Sequence, residues 1–178
     1  MIKRVVISLI LVLLLVSSVI ALDLSEFPEM FIDNGNTDVL VIIGKAAKTE
    51  DVIGAVDIVV ALQYKVRDKK IDVVRLDDEV DAISDQNVII IGGPCANSAA
   101  AKLLGYPINC LEGFELGKGY IRLYEFNNGN IAMLVAGTQA IDTRRVARVL
   151  KDYEDYNLNG TEMVVSEVTL NDLEVNTK

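Results

Sequence analysis

The stretch Val39–Leu62, VLVIIGKAAKTEDVIGAVDIVVAL, decides the fold class. Its first five residues are a continuous apolar, largely β-branched run closed by Gly44, the pattern of a strand buried on both faces. After a short loop, Thr49 stands where a helix N-cap belongs, with Glu50 and Asp51 in the positively polarised first turn. Val52, Ile53, Val56, Val59, Val60 and Leu62 predict the packed stripe of a helix running to about Val66. Glu50, Gly54, Asp57, Ala61 and Tyr64 fall on a more polar stripe. Strand, glycine turn and helix in that order are the repeating unit of an α/β fold.

The unit recurs. Val88–Ile91 is a second buried apolar run, ended by Gly92-Gly93-Pro94 and followed by a short helix through Ala99, Ala100, Leu103 and Leu104 that Gly105 stops. Between the two units, a basic loop (Arg67, Lys69, Lys70) leads to a short strand at Asp72–Leu76. Tyr120–Phe126 and Ile131–Val135 alternate as strands, and Asn127-Asn128-Gly129-Asn130 between them is a hairpin turn. Gly137 and Thr138 open a last helix with Ile141, Val146, Val149 and Leu150 as its apolar stripe. Glu162–Leu170 alternates as an exposed strand, either an edge strand or a connector to a partner. The expected fold is α/β: a mixed, mostly parallel sheet with flanking helices in Rossmann-like or flavodoxin-like layers, a C-terminal β-hairpin and an edge strand.

The N-terminus reads differently. Lys3 and Arg4 precede the uncharged apolar run Val5–Ile20, and Val19 and Ala21 suit the small-residue positions before a cleavage site. Residues 1–21 are therefore expected to be a secretory signal peptide or, uncleaved, an N-terminal anchor that is the chain's one contact with a membrane. Only Lys3 and Arg4 lie on the inner side, which puts the rest outside the cytoplasm. The expected organisation is a lead-in segment at residues 22–37 with a turn at Asn34-Gly35, one domain at 38–170, and a polar tail at 171–178. In an exported chain an even cysteine count favours pairing, so Cys95 and Cys110 are expected to form a disulfide. It closes a loop of about 15 residues, on the order of 3 kcal/mol in the loop-entropy account.

Composition narrows function. The 178 residues hold 17 Lys and Arg against 26 Asp and Glu, a net charge of −9, which argues against a nucleic-acid partner. Without residues 1–21 the count is 15 basic against 26 acidic, a net charge of −11. There is no histidine, which removes His-dependent triads, His-ligated metals and the commonest general base near neutral pH.

The remaining candidates are few. Gly44-Lys45 and Gly92-Gly93 end two buried strands, where α/β sheets hold ligands, and could form an edge that binds an anion or a sugar. The same glycines serve tight turns without any ligand, and neither the G-x-G-x-x-G nor the phosphate-loop pattern is present. Asp77, Asp78, Glu79 and Asp81 could bind calcium outside the cell, though without EF-hand spacing; no other cofactor is expected. Asn159-Gly160-Thr161 is an N-glycosylation acceptor. Ser98 with Lys102 four residues on is a weak nucleophile pair, Ser84 and Thr143 have no base, and Arg144, Arg145 and Arg148 near Asp142 read as local ion pairs. A carboxylate hydrolase built on Asp57 with Asp51 or Glu50 would place a whole site on one helix face.

Four segments in order carry a resemblance: DVLVIIGKAAKTEDVIGAVDIVVAL (Asp38–Leu62), NVIIIGGPCANSAAAKLLG (Asn87–Gly105), GYIRLYEFNNGNIAMLVAG (Gly119–Gly137) and IDTRRVARVLKDYEDY (Ile141–Tyr156). Together they resemble the archaeal S-layer protein family, and more distantly the bacterial cell-wall-binding repeats. The resemblance implies an exported α/β domain of the cell envelope that is not an enzyme. Its implied partners are other S-layer or envelope proteins, or further copies of itself. Its alternative role is a module that binds an envelope glycan or small anion at the glycine-rich strand ends.

Overall fold

The computed structural model describes residues 22–67, 72–169 and 172–178. The signal-peptide reading of residues 1–21 lies outside them, as do Lys69 and Lys70 of the basic loop. The segment at 22–37 holds two short 3₁₀ turns and a two-stranded ribbon, β1 (Ile32–Asp33) and β2 (Asn36–Thr37). Asn34 (φ 51°) and Gly35 (φ 81°) both take left-handed conformations, as a two-residue hairpin turn requires. The segment is more than a lead-in. Leu24, Phe27 and Phe31 are buried in the main core, and Leu24 donates its N–H to the Gly160 carbonyl at 2.8 Å.

The main sheet has seven strands in the order β4-β3-β5-β7-β6-β8-β9. They are β3 (Leu40–Ile43), β4 (Val74–Leu76), β5 (Val88–Ile91), β6 (Gly119–Glu125), β7 (Ile131–Gly137), β8 (Glu162–Thr169) and β9 (Asp172–Thr177). β4, β3, β5 and β7 run parallel, whereas β6, β8 and β9 join antiparallel. The sheet is therefore mixed in equal parts rather than mostly parallel. The reversal at the Asn127–Asn130 turn sets the direction of β6 against β7, and every strand added beyond it pairs antiparallel. β4 starts at Val74, two residues later than the sequence pattern suggests. Two further corrections concern the C-terminus. β8 lies inside the sheet, with Met163 and Val165 buried, and is not an exposed edge. The supposed polar tail supplies the edge strand β9, because backbone pairing with β8 does not require apolar side chains.

Three helices flank the sheet among the described residues: α1 (Thr49–Lys65), α2 (Ser98–Leu103) and α3 (Ala140–Lys151). Alternate strand residues divide into two cores. Val41, Ile43, Ile89, Ile91, Met133, Val135 and Ile121 pack with α1 and α3. Ile42, Val88, Ile90, Ala132, Leu134 and Ala136 pack with α2 and Ile83.

Helix α1 departs from the expected stripe. Its buried residues are Asp51, Gly54, Ala55, Ile58, Ala61 and Leu62, while Val52, Ile53 and Val56 are exposed. Gly54 explains the choice of face: a Cβ there would sit 3.0 Å from the Ala147 Cβ of α3. Only small residues fit where the two helices come closest, so Val52, Ile53 and Val56 turn outward. The N-cap is Lys48 rather than Thr49, since its N–H donates to Asp51 Oδ2 at 3.0 Å and the helix begins one residue later.

Candidate functional site

The carboxyl ends of β3, β5 and β7 meet the first turns of α1 and α3 around a cavity of about 250 Å³. Lys48, Asp51, Gly93, Gly137, Thr138, Gln139 and Thr143 are among its lining residues. Glycines make the site possible. A Cβ on Gly44 would collide with the Ala96 carbonyl, and one on Gly137 would collide with Asp142. These two positions let the loop after β5 and the helix α3 close onto the strand ends. Gly92 has φ 95°, which only glycine adopts without strain.

Three buried polar side chains hold this edge; the sequence singles out Asp51 and Asp142 but not Asn97. Asn97, 1% exposed, donates from Nδ2 to the carbonyls of Ile42 (3.2 Å) and Ile91 (2.9 Å), and its Oδ1 accepts the Ala99 N–H at 2.9 Å. One amide thus ties the ends of two strands to the start of α2. Asp142, also 1% exposed, accepts from Thr138 Oγ1 (3.0 Å), the Gln139 N–H (3.1 Å) and Arg145 Nη1 (2.7 Å). Asp51 is 2% exposed and uses Oδ2 to cap α1, while its Oδ1 has no hydrogen-bond partner. The signal for both carboxylates is their position, an acidic residue in the first turn of a helix.

The residues singled out from sequence are dispersed around this edge. Gly93 lines the cavity, whereas Gly44 is filled by the loop carbonyl that packs on it. Lys45 turns to the neighbouring loop, where Nζ pairs with Asp78 Oδ2; that contact holds the lysine's pKa above its ordinary value. Asp77 accepts the backbone N–H groups of Lys45 (2.8 Å) and Ser98 (2.6 Å). Burial pushes the Asp77 carboxyl upward, but these amides outweigh it and hold its pKa below the usual carboxylate range. Glu79 accepts the Leu76 N–H at 2.8 Å, and Lys102 Nζ donates to the carbonyl of Asp81 at 2.8 Å. The carboxylates of Asp77, Asp78 and Glu79 thus serve separate local contacts, Asp81 takes part through its backbone carbonyl, and among the described residues no three acidic or cysteine side chains converge as a ligand set.

Cys95 and Cys110 form the expected disulfide, and both line the cavity with Leu111. Beyond the bridge, Arg122 stacks on Tyr120 and Phe114 and donates from Nη2 to the Gly113 carbonyl at 2.8 Å, which fixes the long loop before β6. Asn159 is half-buried. Its Oδ1 accepts the Thr177 hydroxyl at 2.8 Å, and its Nδ2 donates to the Asn157 carbonyl. Lys102 is drawn to the Asp81 carbonyl rather than to Ser98, and Ser84 offers its carbonyl to Asn128 and Asn130. Thr143 is buried on α3, Arg148 pairs with Asp152 (3.4 Å), and Asp57 lies 3.9 Å from Lys151 Nζ across the α1–α3 contact.

This is a mixed α/β domain whose strand ends are closed by glycines, buried capping carboxylates and one disulfide. The family model described as "S-layer like family, outer domain" matches residues 23–69 and 63–153, and the chain belongs to that family. No curated protein matches it. Membership points to a structural role at the cell surface or outside the cell. No helix among the described residues is long and apolar enough to cross a membrane.

Proposed function

We propose that the protein is a non-enzymatic structural domain of the cell envelope, secreted or held at the surface, that associates with further copies of itself and with other envelope proteins. The match to an S-layer outer domain over most of the chain carries this reading. The outer face of α1 supports self-association. From Thr49 to Gln63 no charged side chain of α1 is exposed: Glu50 and Asp57 are half-buried and Asp51 is buried. Val52, Ile53, Val56 and Tyr64 face outward instead. On a chain with a net charge of −9, an uncharged face is where two copies approach with least like-charge repulsion. We assign its occupant as a second copy.

Sedimentation of the purified protein over a range of concentrations, with and without calcium, tests the reading. Concentration-dependent assembly is expected, and Val56→Lys should weaken it at least tenfold. A monomer at every concentration in both conditions, with no affinity for envelope fractions, would overturn it.

A further inference from the structure

The Asp51 carboxylate is the one buried group of the strand-end cavity that the fold does not account for. Its Oδ2 caps α1, but Oδ1 has no donor although the residue is 98% buried, given its 2% exposure. A buried acceptor left unpaired costs about 1–3 kcal/mol, more when it is charged. Asp142, the equivalent first-turn carboxylate of α3, meets three donors. The difference marks a place where something outside the chain donates a hydrogen bond.

The surroundings define what that is. Two helix N-termini facing one cavity would ordinarily favour an anion. Here each already carries its own carboxylate, Asp51 on α1 and Asp142 on α3, so the positive ends are neutralised from within. Lys45, the cation expected beside Gly44, is committed to Asp78, and Lys48, the cation of the lining, is an exposed residue at the mouth whose backbone N–H is already held by Asp51. An anion would therefore meet an unpaired carboxylate oxygen. The rest of the lining mixes hydrogen-bonding groups (Thr138, Gln139) with apolar walls (Leu111, Ala140), as sites for small uncharged polar ligands do. The volume, about 250 Å³, is just below the ~300 Å³ at which sites for drug-sized ligands begin. It fits one ring rather than a chain.

We infer that the cavity is a binding site for a neutral, hydroxyl-bearing ligand of monosaccharide size, with Asp51 Oδ1 accepting one of its hydroxyl protons. None of Val52, Ile53, Val56 and Tyr64 lines the cavity, so the inference does not rest on self-association.

Titration calorimetry and thermal shift on the purified protein test it, with glucose, mannose and N-acetylglucosamine as neutral probes and phosphate, sulfate and methylammonium as charged ones. At least one sugar should bind saturably in the millimolar range while phosphate and sulfate do not. Asp51→Asn keeps an oxygen to cap Lys48 and should lower sugar affinity at least tenfold. Gly93→Ala should keep the fold, because its Cβ would meet the Gly137 carbonyl only at an ordinary 3.4 Å, and should lower affinity several-fold by narrowing the cavity. Three results would each overturn the inference: no sugar binding, binding of phosphate or methylammonium in place of sugars, or sugar binding unchanged in folded Asp51→Asn.

Discussion

Helices α1 and α3 lie side by side on one face of the sheet, yet they are built on opposite plans. α3 is strongly amphipathic: Val146, Ala147, Val149 and Leu150 are buried, and Arg144, Arg145, Arg148 and Lys151 line its half-exposed side. α1 is apolar almost all round and buries its smallest residues, Gly54, Ala55 and Ala61, with Ile58 and Leu62. In α3 the pattern of polarity selects the buried face. In α1 polarity offers no preference, and the space left by Ala147 selects it. Where hydrophobicity is spread evenly, shape decides burial.

The comparison can be broken first at the shared core. Ile58→Ala on α1 and Leu150→Ala on α3 should each destabilise by about 2–5 kcal/mol in urea unfolding, since both side chains are fully buried. A loss below ~1 kcal/mol for Ile58→Ala would mean that α1 buries a different face. Gly54→Leu tests the shape argument directly. It should cost about 1–3 kcal/mol by wedging the helices apart, and the added Ala147→Gly change should recover part of the loss. If Gly54→Leu is neutral, close approach does not orient α1.

The capping carboxylates give a smaller contrast. Asp142→Asn weakens three hydrogen bonds, one of them the ion pair with Arg145, whereas Asp51→Asn keeps the one cap that Asp51 makes. Asp142→Asn should therefore be the more destabilising by about 1–2 kcal/mol. Equal losses would show that the free oxygen of Asp51 is satisfied within the protein. The smallest effect is expected outside. Val56→Ser should change stability by no more than about 0.5 kcal/mol while still reducing assembly in sedimentation.

Much of this arrangement is legible in the chain. The apolar runs at Val39–Ile43 and Val88–Ile91 predict buried strands because continuous β-branched residues suit a sheet covered on both faces. The turns at Asn34-Gly35 and Asn127–Asn130 are readable because few residues tolerate a positive φ. The cysteine pair follows from an even count, since two cysteines leave a single possible pairing. The edge strand β9 is not readable: Asp172–Thr177 carries polar side chains, and its pairing comes from the backbone that every sequence shares. Of the candidate site, the glycines were visible, but Lys45 was set beside them by proximity in sequence and Asp78 draws it away.

The sequence by itself determined the local elements and the disulfide partners. Each depends on side chains near one another in the chain or on a count. The tertiary structure alone decided which face of α1 is buried, that β8 is internal, and that Asp51 lacks the donors Asp142 has. Those outcomes depend on which surfaces meet. Ala147 lies far from Gly54 in sequence, and only folding makes its methyl group the limit on how α1 can turn.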